Sequence, residues 1–519
     1  MRKLQYGAMA LSAALALAGA ARAQKEDACP RPPQGAKITP PEDLHSVNGV
    51  LDVSLDYRTR MDGHNRTLFC FSTPQGAESP ALHVVPGDTL RIRLTNKVRD
   101  PGAMDDLVSA DKDRCGARHM TLASVNLHFH GTNTAPVCHQ DEVIHTLVNA
   151  GQTFLYAVHI PSDEPPGLYW YHPHVHGLEN AAALGGATGP LVVEGIARYQ
   201  PELKDLPRRI LVFRDQPLAN PPRDVRKPPP PAYDVSLNYV PVVYPRYVPG
   251  ELRMRAGRQE LWRVVNASAD STFNLELLYD GVPQPLGIVA FDGVPLDWPH
   301  ARARGQILTR HRVFIPTAGR AEFIVSGPSE KVRSAVLITL PLNTGPLGSA
   351  EPQRPLALIR TTHDLDWLPG GSERSVAQGA RRFDGLEDAG VTAHRHLYFS
   401  EDSKSNRFYI TVDGQKPELY HPDEAPRITT TEGAVEDWTI ENRTSEVHEF
   451  HIHQIHFLLL AIDGKSVPAD QRQLSIPARS ITGAARDLIR ASRCGWIFAA
   501  RSPANSSITA ISPSMPITG

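Results

Sequence analysis

This sequence has almost no excess of positive over negative charge, or the reverse. Lys and Arg number 54 against 56 Asp and Glu, for a net charge of -2. That balance excludes a chain that works by sequence-blind attraction to polyanions. Methionine is scarce at 7 residues, and aromatics are only 7% of the 519. Beyond the N-terminus no apolar run is long enough to cross a bilayer, and long 3.6-period patterns are nearly absent. What the chain does have is Pro 46, Gly 38 and His 22. Abundant proline and glycine suit strands joined by fixed turns. At roughly 100–200 residues per domain, the length suggests about three.

Residues 1–23 read as a secretory signal. Arg2 and Lys3 precede a small-apolar run from Leu4 to Ala20, and Ala21-Arg22-Ala23 before Gln24 forms an A-x-A cleavage pattern. The expectation is an exported protein, periplasmic or extracellular, with no membrane span once the signal is removed. Export permits disulfides among Cys29, Cys70, Cys115, Cys138 and Cys494. Any four cysteines can pair in three ways, and the sequence does not choose.

A repeat organises the rest. Gly87 to Asn96 alternates apolar and polar residues as a half-buried strand does, and Gly257 to Asn266 and Gly433 to Asn442 have the same form. Each is a glycine turn, a strand pattern, and an asparagine nine positions on. The simplest account is three related β units, over 24–200, 205–365 and 383–519. Residues 24–45 form a polar, proline-rich lead-in. Lys227 to Pro231 cannot be a central strand, and Gly370 to Arg382 resembles a linker. Short strands with regular turn signals predict all-β sandwiches or barrels.

Nine histidines fall in three clusters: His128 and His130; His172, His174 and His176; and His448, His451, His453 and His456. On a strand, residues two apart share a face, so each His-x-His pair would present two imidazoles to one side. One such pair is weak evidence, since zinc hydrolases use it too; three are strong. A zinc site would add a carboxylate or stop at three or four ligands. Six or seven imidazoles exceed one ion and fit a multinuclear copper site.

At these residues the chain resembles the multicopper oxidases, the family of laccases and bacterial copper-tolerance oxidases. The resemblance implies three tandem cupredoxin-like Greek-key sandwiches, with copper motifs in the first and third. Of the family's four motifs, H-x-H-G, H-x-H and H-x-x-H-x-H are present. By position, His128 and His451 would bind the type 2 copper, and His130, His172, His174 and His453 the type 3 pair. His448 would be one ligand of the type 1 copper. His176 and His456 lie beside the motifs and are expected to play supporting or packing roles.

The fourth motif, H-C-H-x-x-x-H, is absent from the residues after 485. Back-translation offers a reason. Joining the third base of each codon to the first two of the next lets residues 505–519 read Phe-Val-Tyr-His-Cys-His-Ile-Pro-Glu-His-Ala-Asp-His-Gly. The bases forced by Thr509, Ala510, Ile511 and Met515 all comply. The expectation is therefore a frameshift near residues 484–491. Cys494 is then out-of-frame noise, the type 1 site is incomplete, and the chain as written is impaired.

The resemblance implies oxidation of a small reducing substrate coupled to reduction of O₂ to water, with no nucleic-acid partner. Asp141 is the candidate carboxylate for proton delivery, its alternative being a turn Asp beside Glu142. Phenols, aromatic amines and metal ions all remain open as substrates, although scattered methionines do not favour a dedicated cuprous oxidase. Two other readings stand beside this one. The first is a non-catalytic copper-binding protein with a genuinely truncated third unit. The second is a copper nitrite reductase, which the third repeat argues against.

Overall fold

A computed structural model describes residues 28–99, 115–222, 230–296, 307–363 and 385–467, apart from 387, 406, 421–424 and 432, and the backbone of 486–492. The expected signal, the 370–382 linker, Cys494 and the frame-shifted terminus lie outside the described residues. The architecture is all-β. The one α-helix among the described residues is α1, Glu179–Leu184.

The first unit is a pair of sheets. One follows the order β1 (Asp43–His45), β4 (Ala81–Val84), β9 (Gly189–Val193), β8 (Gly167–His172), β6 (His128–His130). The other runs β3 (Thr67–Ser72), β2 (Val50–Met61), β5 (Thr89–Asn96), β7 (Thr153–His159). Alternation along β5 buries Leu90, Ile92 and Leu94 against Leu82, Phe129, Tyr171 and Leu191 of the facing sheet. Period-two burial of this kind closes a sandwich.

In the second unit, a sheet centred on Gln259–Asn266 and Arg320–Ser326 faces one built on Phe273–Tyr279, Ala335–Thr339 and Arg354–Thr362. Trp262, Phe213, Phe273 and Phe323 fill the space between them. The third unit has a sheet in the order Arg407–Val412, Ala393–Asp402, Val435–Asn442, Arg486–Ser492, Phe457–Ile462, Lys465–Ser466. Trp438, Ile440, Phe450 and Ile452 pack at its core.

The repeat seen in the sequence occupies equivalent places. β5, Gln259–Asn266 and Val435–Asn442 each pair parallel with an earlier strand and antiparallel with a later one. The closing asparagines do the same work. Asn96, Asn266 and Asn442 accept from the backbone N–H two residues on, at 3.1, 3.1 and 2.9 Å. Their side-chain amides donate to the carbonyls of Val148, Ser271 and Glu446, each at 2.8 Å. A buried amide satisfied on both ends fixes the exit of each strand.

The structure adds to two sequence readings. The lead-in is part of the fold: β1 pairs with β4, Lys37 bridges to Glu251, and Ile38 packs in the second unit's core. Two disulfides, Cys29–Cys70 and Cys115–Cys138, supply the pairing left open.

Candidate metal centre

β6 and β8 run antiparallel with His128 opposite His172 and His130 opposite Trp170. This register brings the first two motifs together. β6 projects His128 and His130 to one side, as a strand should. His174 and the segment from His448 to His456 instead lie on irregular backbone, so the shared-face argument holds only for the first pair. Turn geometry after β8, and hydrogen bonds, place the others.

The six imidazoles converge nonetheless. Ring centroids lie 4.0 Å apart for His128 and His453, and 4.1 Å for His130 and His451. They lie 5.2 Å apart for His128 and His172, 5.0 Å for His174 and His453, and 5.1 Å for His451 and His453. One nitrogen each from His128, His130 and His451 lies within 4.8 Å of the others. The first and third units therefore meet around one cluster of imidazoles.

Fixed partners orient these rings. His128 Nδ1 donates to Asp141 Oδ1 at 3.0 Å, and that oxygen also accepts from the Phe129 N–H at 2.9 Å. His172 Nδ1 donates to the Pro173 carbonyl at 2.8 Å. Carbonyls and carboxylates can only accept, so Nδ1 carries the proton and Nε2 keeps its lone pair. The Nε2 atoms of His128, His172 and His451 are buried with no hydrogen-bond partner. An unmatched buried polar atom costs about 1–3 kcal/mol. Three of them around one cavity fit a bound ion, and an all-imidazole donor set suits copper.

The charge state agrees. Burial, then the positive charge that each neighbouring imidazole or Arg320 would present, holds His128, His130 and His451 well below the usual histidine range. His172 and His453 are lowered in the same way. They are neutral at physiological pH, the form that ligates. Asp141 is fully buried, and burial pushes its carboxyl up to about 7 against the hydrogen bonds from Phe129 and Gln454.

His448 lies apart. It stacks on Phe399 with centroids 4.7 Å apart and meets Phe408 edge-on at 5.5 Å. No ring contact among the described residues joins it to the six. The Thr444 hydroxyl donates to Asn442 Oδ1 and so accepts from His448 Nε2, both at 2.8 Å, leaving Nδ1 as the lone-pair atom. Burial lowers its pKa to about 4. His176 faces Tyr420, and His456 Nδ1 accepts from Asn133 Nδ2 at 3.0 Å.

Several contributors carry no motif. Asn126 Oδ1 accepts from the His174 N–H at 2.6 Å, and Gln454 Nε2 donates to Asp141 Oδ2 at 2.9 Å. Trp170 stacks on His172 at 4.3 Å. Arg320, from the second unit, donates to the Asp292 and Ala318 carbonyls behind the cavity. A side chain at Gly131, which adopts φ +85, would collide with that guanidinium, so the glycine of H-x-H-G is sterically required. Gln454 lies inside the third motif and was open to notice; Arg320 and Asn126 give no signal in sequence.

Known proteins resemble this chain in sequence and in fold. Multicopper oxidase family models match residues 119–197 and 394–507. A rice protein, multicopper oxidase LPR1 homolog 1 (Oryza sativa subsp. japonica), is 24% identical over 329 residues, covering 59% of this chain and 51% of that protein. The chain thus spans about half the length of this curated relative. Among solved structures, the Campylobacter jejuni multicopper oxidase, a metallo-oxidase, matches with TM-score 0.62 and 19% identity over 89% of this chain and 90% of that one. The laccase-like CueO of Ochrobactrum sp. gives 0.59 and 19% over 88% and 93%. The 2F4 variant of Aquifex aeolicus McoA gives 0.62 and 14% over 89% and 93%.

Residues 119–197 and 394–507 thus match multicopper oxidase family models, and the fold is that of the cupredoxin-fold multicopper oxidases.

Proposed function

We propose that this protein descends from an exported oxidase that couples one-electron oxidation of a small reductant to four-electron reduction of O₂ to water. The reading rests on the convergence of six imidazoles from the first and third units around buried, unpartnered Nε2 atoms. Bound copper would supply the one-electron redox chemistry and gather four electrons for O₂. His128 and His451 would hold a type 2 ion. His130, His172, His174 and His453 would hold a type 3 pair, and His448 would serve a type 1 site. Phenols, aromatic amines and metal ions are the reductant classes considered.

The chain's own groups prepare that chemistry. Asp141 fixes the His128 tautomer through Oδ1. With its carboxyl near 7, it can hold a proton and release it at neutral pH. Burial keeps water from competing for the imidazole lone pairs. The chain as written lacks the thiolate and histidines of the fourth motif, so electrons have no entry and turnover is lost.

Oxygen uptake with a phenolic substrate tests this. A chain rebuilt in the shifted frame should consume O₂ and reduce it to water; the chain as written should not. In the rebuilt chain, Asp141→Asn should slow reoxidation of the reduced enzyme by O₂ by about 10²- to 10⁴-fold, and anaerobic reduction of the enzyme by substrate far less, each followed as a separate half-reaction. A rebuilt chain that binds copper without consuming O₂ is a copper-binding protein and no oxidase.

A further inference from the structure

A second histidine cluster lies at the edge of the first unit, away from the imidazole cavity. β1 runs parallel to β4 with His45 opposite His83, and β4 runs parallel to β9. Neighbours in register project to the same face. The two rings accordingly stand 4.4 Å apart, tilted by 33°. Glu194, just past β9, brings Oε1 to 3.2 Å from His45 Nδ1 and 3.1 Å from His83 Nδ1. On the other side of His83, Asp43 Oδ1 lies 3.0 Å from Nε2. One donor atom each from Asp43, His45 and His83 lies within 4.8 Å of the others.

The two contacts of Glu194 have the spacing of a ligand shell. Donors at about 2.0–2.1 Å from a tetrahedral ion are about 3.3 Å from one another. The Glu194 oxygen keeps close to that spacing from both Nδ1 atoms. The cluster also has an inside and an outside. His83 and Glu194 are buried, whereas the His45 side chain is 50% exposed. Two donors are therefore anchored in the sheet, and the third opens a path from solvent.

We propose that His45, His83 and Glu194 form a binding site for a divalent transition-metal ion of the zinc or copper class. His45 and His83 donate through Nδ1 and Glu194 through Oε1. Asp43 accepts the Nε2–H of His83 and fixes its tautomer, the carboxylate–histidine–metal arrangement. Water completes the shell on the open side. Two imidazoles in the set favour these ions over calcium or magnesium, which take oxygen ligands. An ion here would tie β1 to β4 and β9, joining the lead-in to the sheet by coordination as well as backbone pairing. The site is independent of the copper chemistry proposed above and needs neither activity nor an intact C-terminus.

Calorimetric titration of the full chain with Zn²⁺ tests the assignment, with His45→Ala and Asp43→Ala alongside. Both changed side chains lie at the solvent side of the cluster, and circular dichroism confirms that each variant is folded. Whatever the imidazole cavity takes up is common to all three proteins, so the difference isolates this site. The wild-type chain should bind one more equivalent than His45→Ala. Asp43→Ala should retain that equivalent with affinity reduced by about 10- to 100-fold. Zn²⁺ should also slow amide exchange along β1 in the wild type and not in His45→Ala. Equal stoichiometry and affinity in the wild type and His45→Ala would overturn the proposal, leaving the cluster as a hydrogen-bonded clasp.

Discussion

The second and third units are built on the same frame, yet only the third faces the cavity with histidines. Trp262 Nε1 donates to Glu260 Oε2 and Trp438 Nε1 to Glu436 Oε2, both at 3.0 Å. Arg209 and Arg395, each on the parallel neighbouring strand, complete the pattern by donating to Glu260 and Glu436. Asn266 and Asn442 close both strands. At equal offsets beyond those asparagines, the second unit has Thr272, Leu275 and Leu277, and the third has His448, His451 and His453. Leu275 and Leu277 lie in the second unit's core. The same positions serve packing in one copy and carry imidazoles in the other, so the frame alone does not specify chemistry. The second unit contributes at a distance instead, through Arg320 behind the imidazoles.

The largest test of this contrast completes the third unit. Restoring the shifted frame after residue 484 should produce blue type 1 absorption where the chain as written shows none, read by visible spectroscopy on copper-loaded protein. A colourless rebuilt chain would remove the frameshift from the account.

Exchanging the character of the two units should have opposite consequences. Leu275→Ala should cost about 2–5 kcal/mol in denaturant unfolding, with copper content unchanged. His451→Leu should abolish copper uptake at the shared cavity while stabilising the metal-free chain by about 1–3 kcal/mol, because it removes an unsatisfied buried nitrogen. Unchanged copper content in His451→Leu would break the distinction between the units.

The smallest effect is the pH dependence that His448 contributes. Burial lowers His448 to about 4, against about 6.5 in the unfolded chain. The unfolded state binds this proton more tightly, so the contribution is complete above about pH 6.5 and lost as pH falls toward 4. It amounts to at most about 3 kcal/mol in metal-free protein. His448→Thr, which copies Thr272, should shrink the difference between unfolding free energies at pH 4 and pH 7 by that amount. An unaltered difference would mean that other groups carry it.

Much of this was legible in the sequence because it rests on local pattern. The alternation before Asn96, Asn266 and Asn442 marks three strands that do occupy equivalent positions. Motif order likewise names six imidazoles that the fold brings together. What escaped depends on distant chain segments. Arg320 reaches the cavity from another unit. β1 joins a sheet from within a proline-rich lead-in, where composition gives no strand pattern. The orientation of His174 and His453 comes from irregular backbone and from neighbours such as Asn126, which no strand period encodes.

The central claim is that imidazoles from the first and third units hold copper in one cavity. Crystallography of the copper-loaded chain at the copper absorption edge tests it most directly. Anomalous density should lie within ligating distance of the Nε2 atoms of His128, His172 and His451. A cavity without such density, in crystals that carry copper elsewhere, would contradict it.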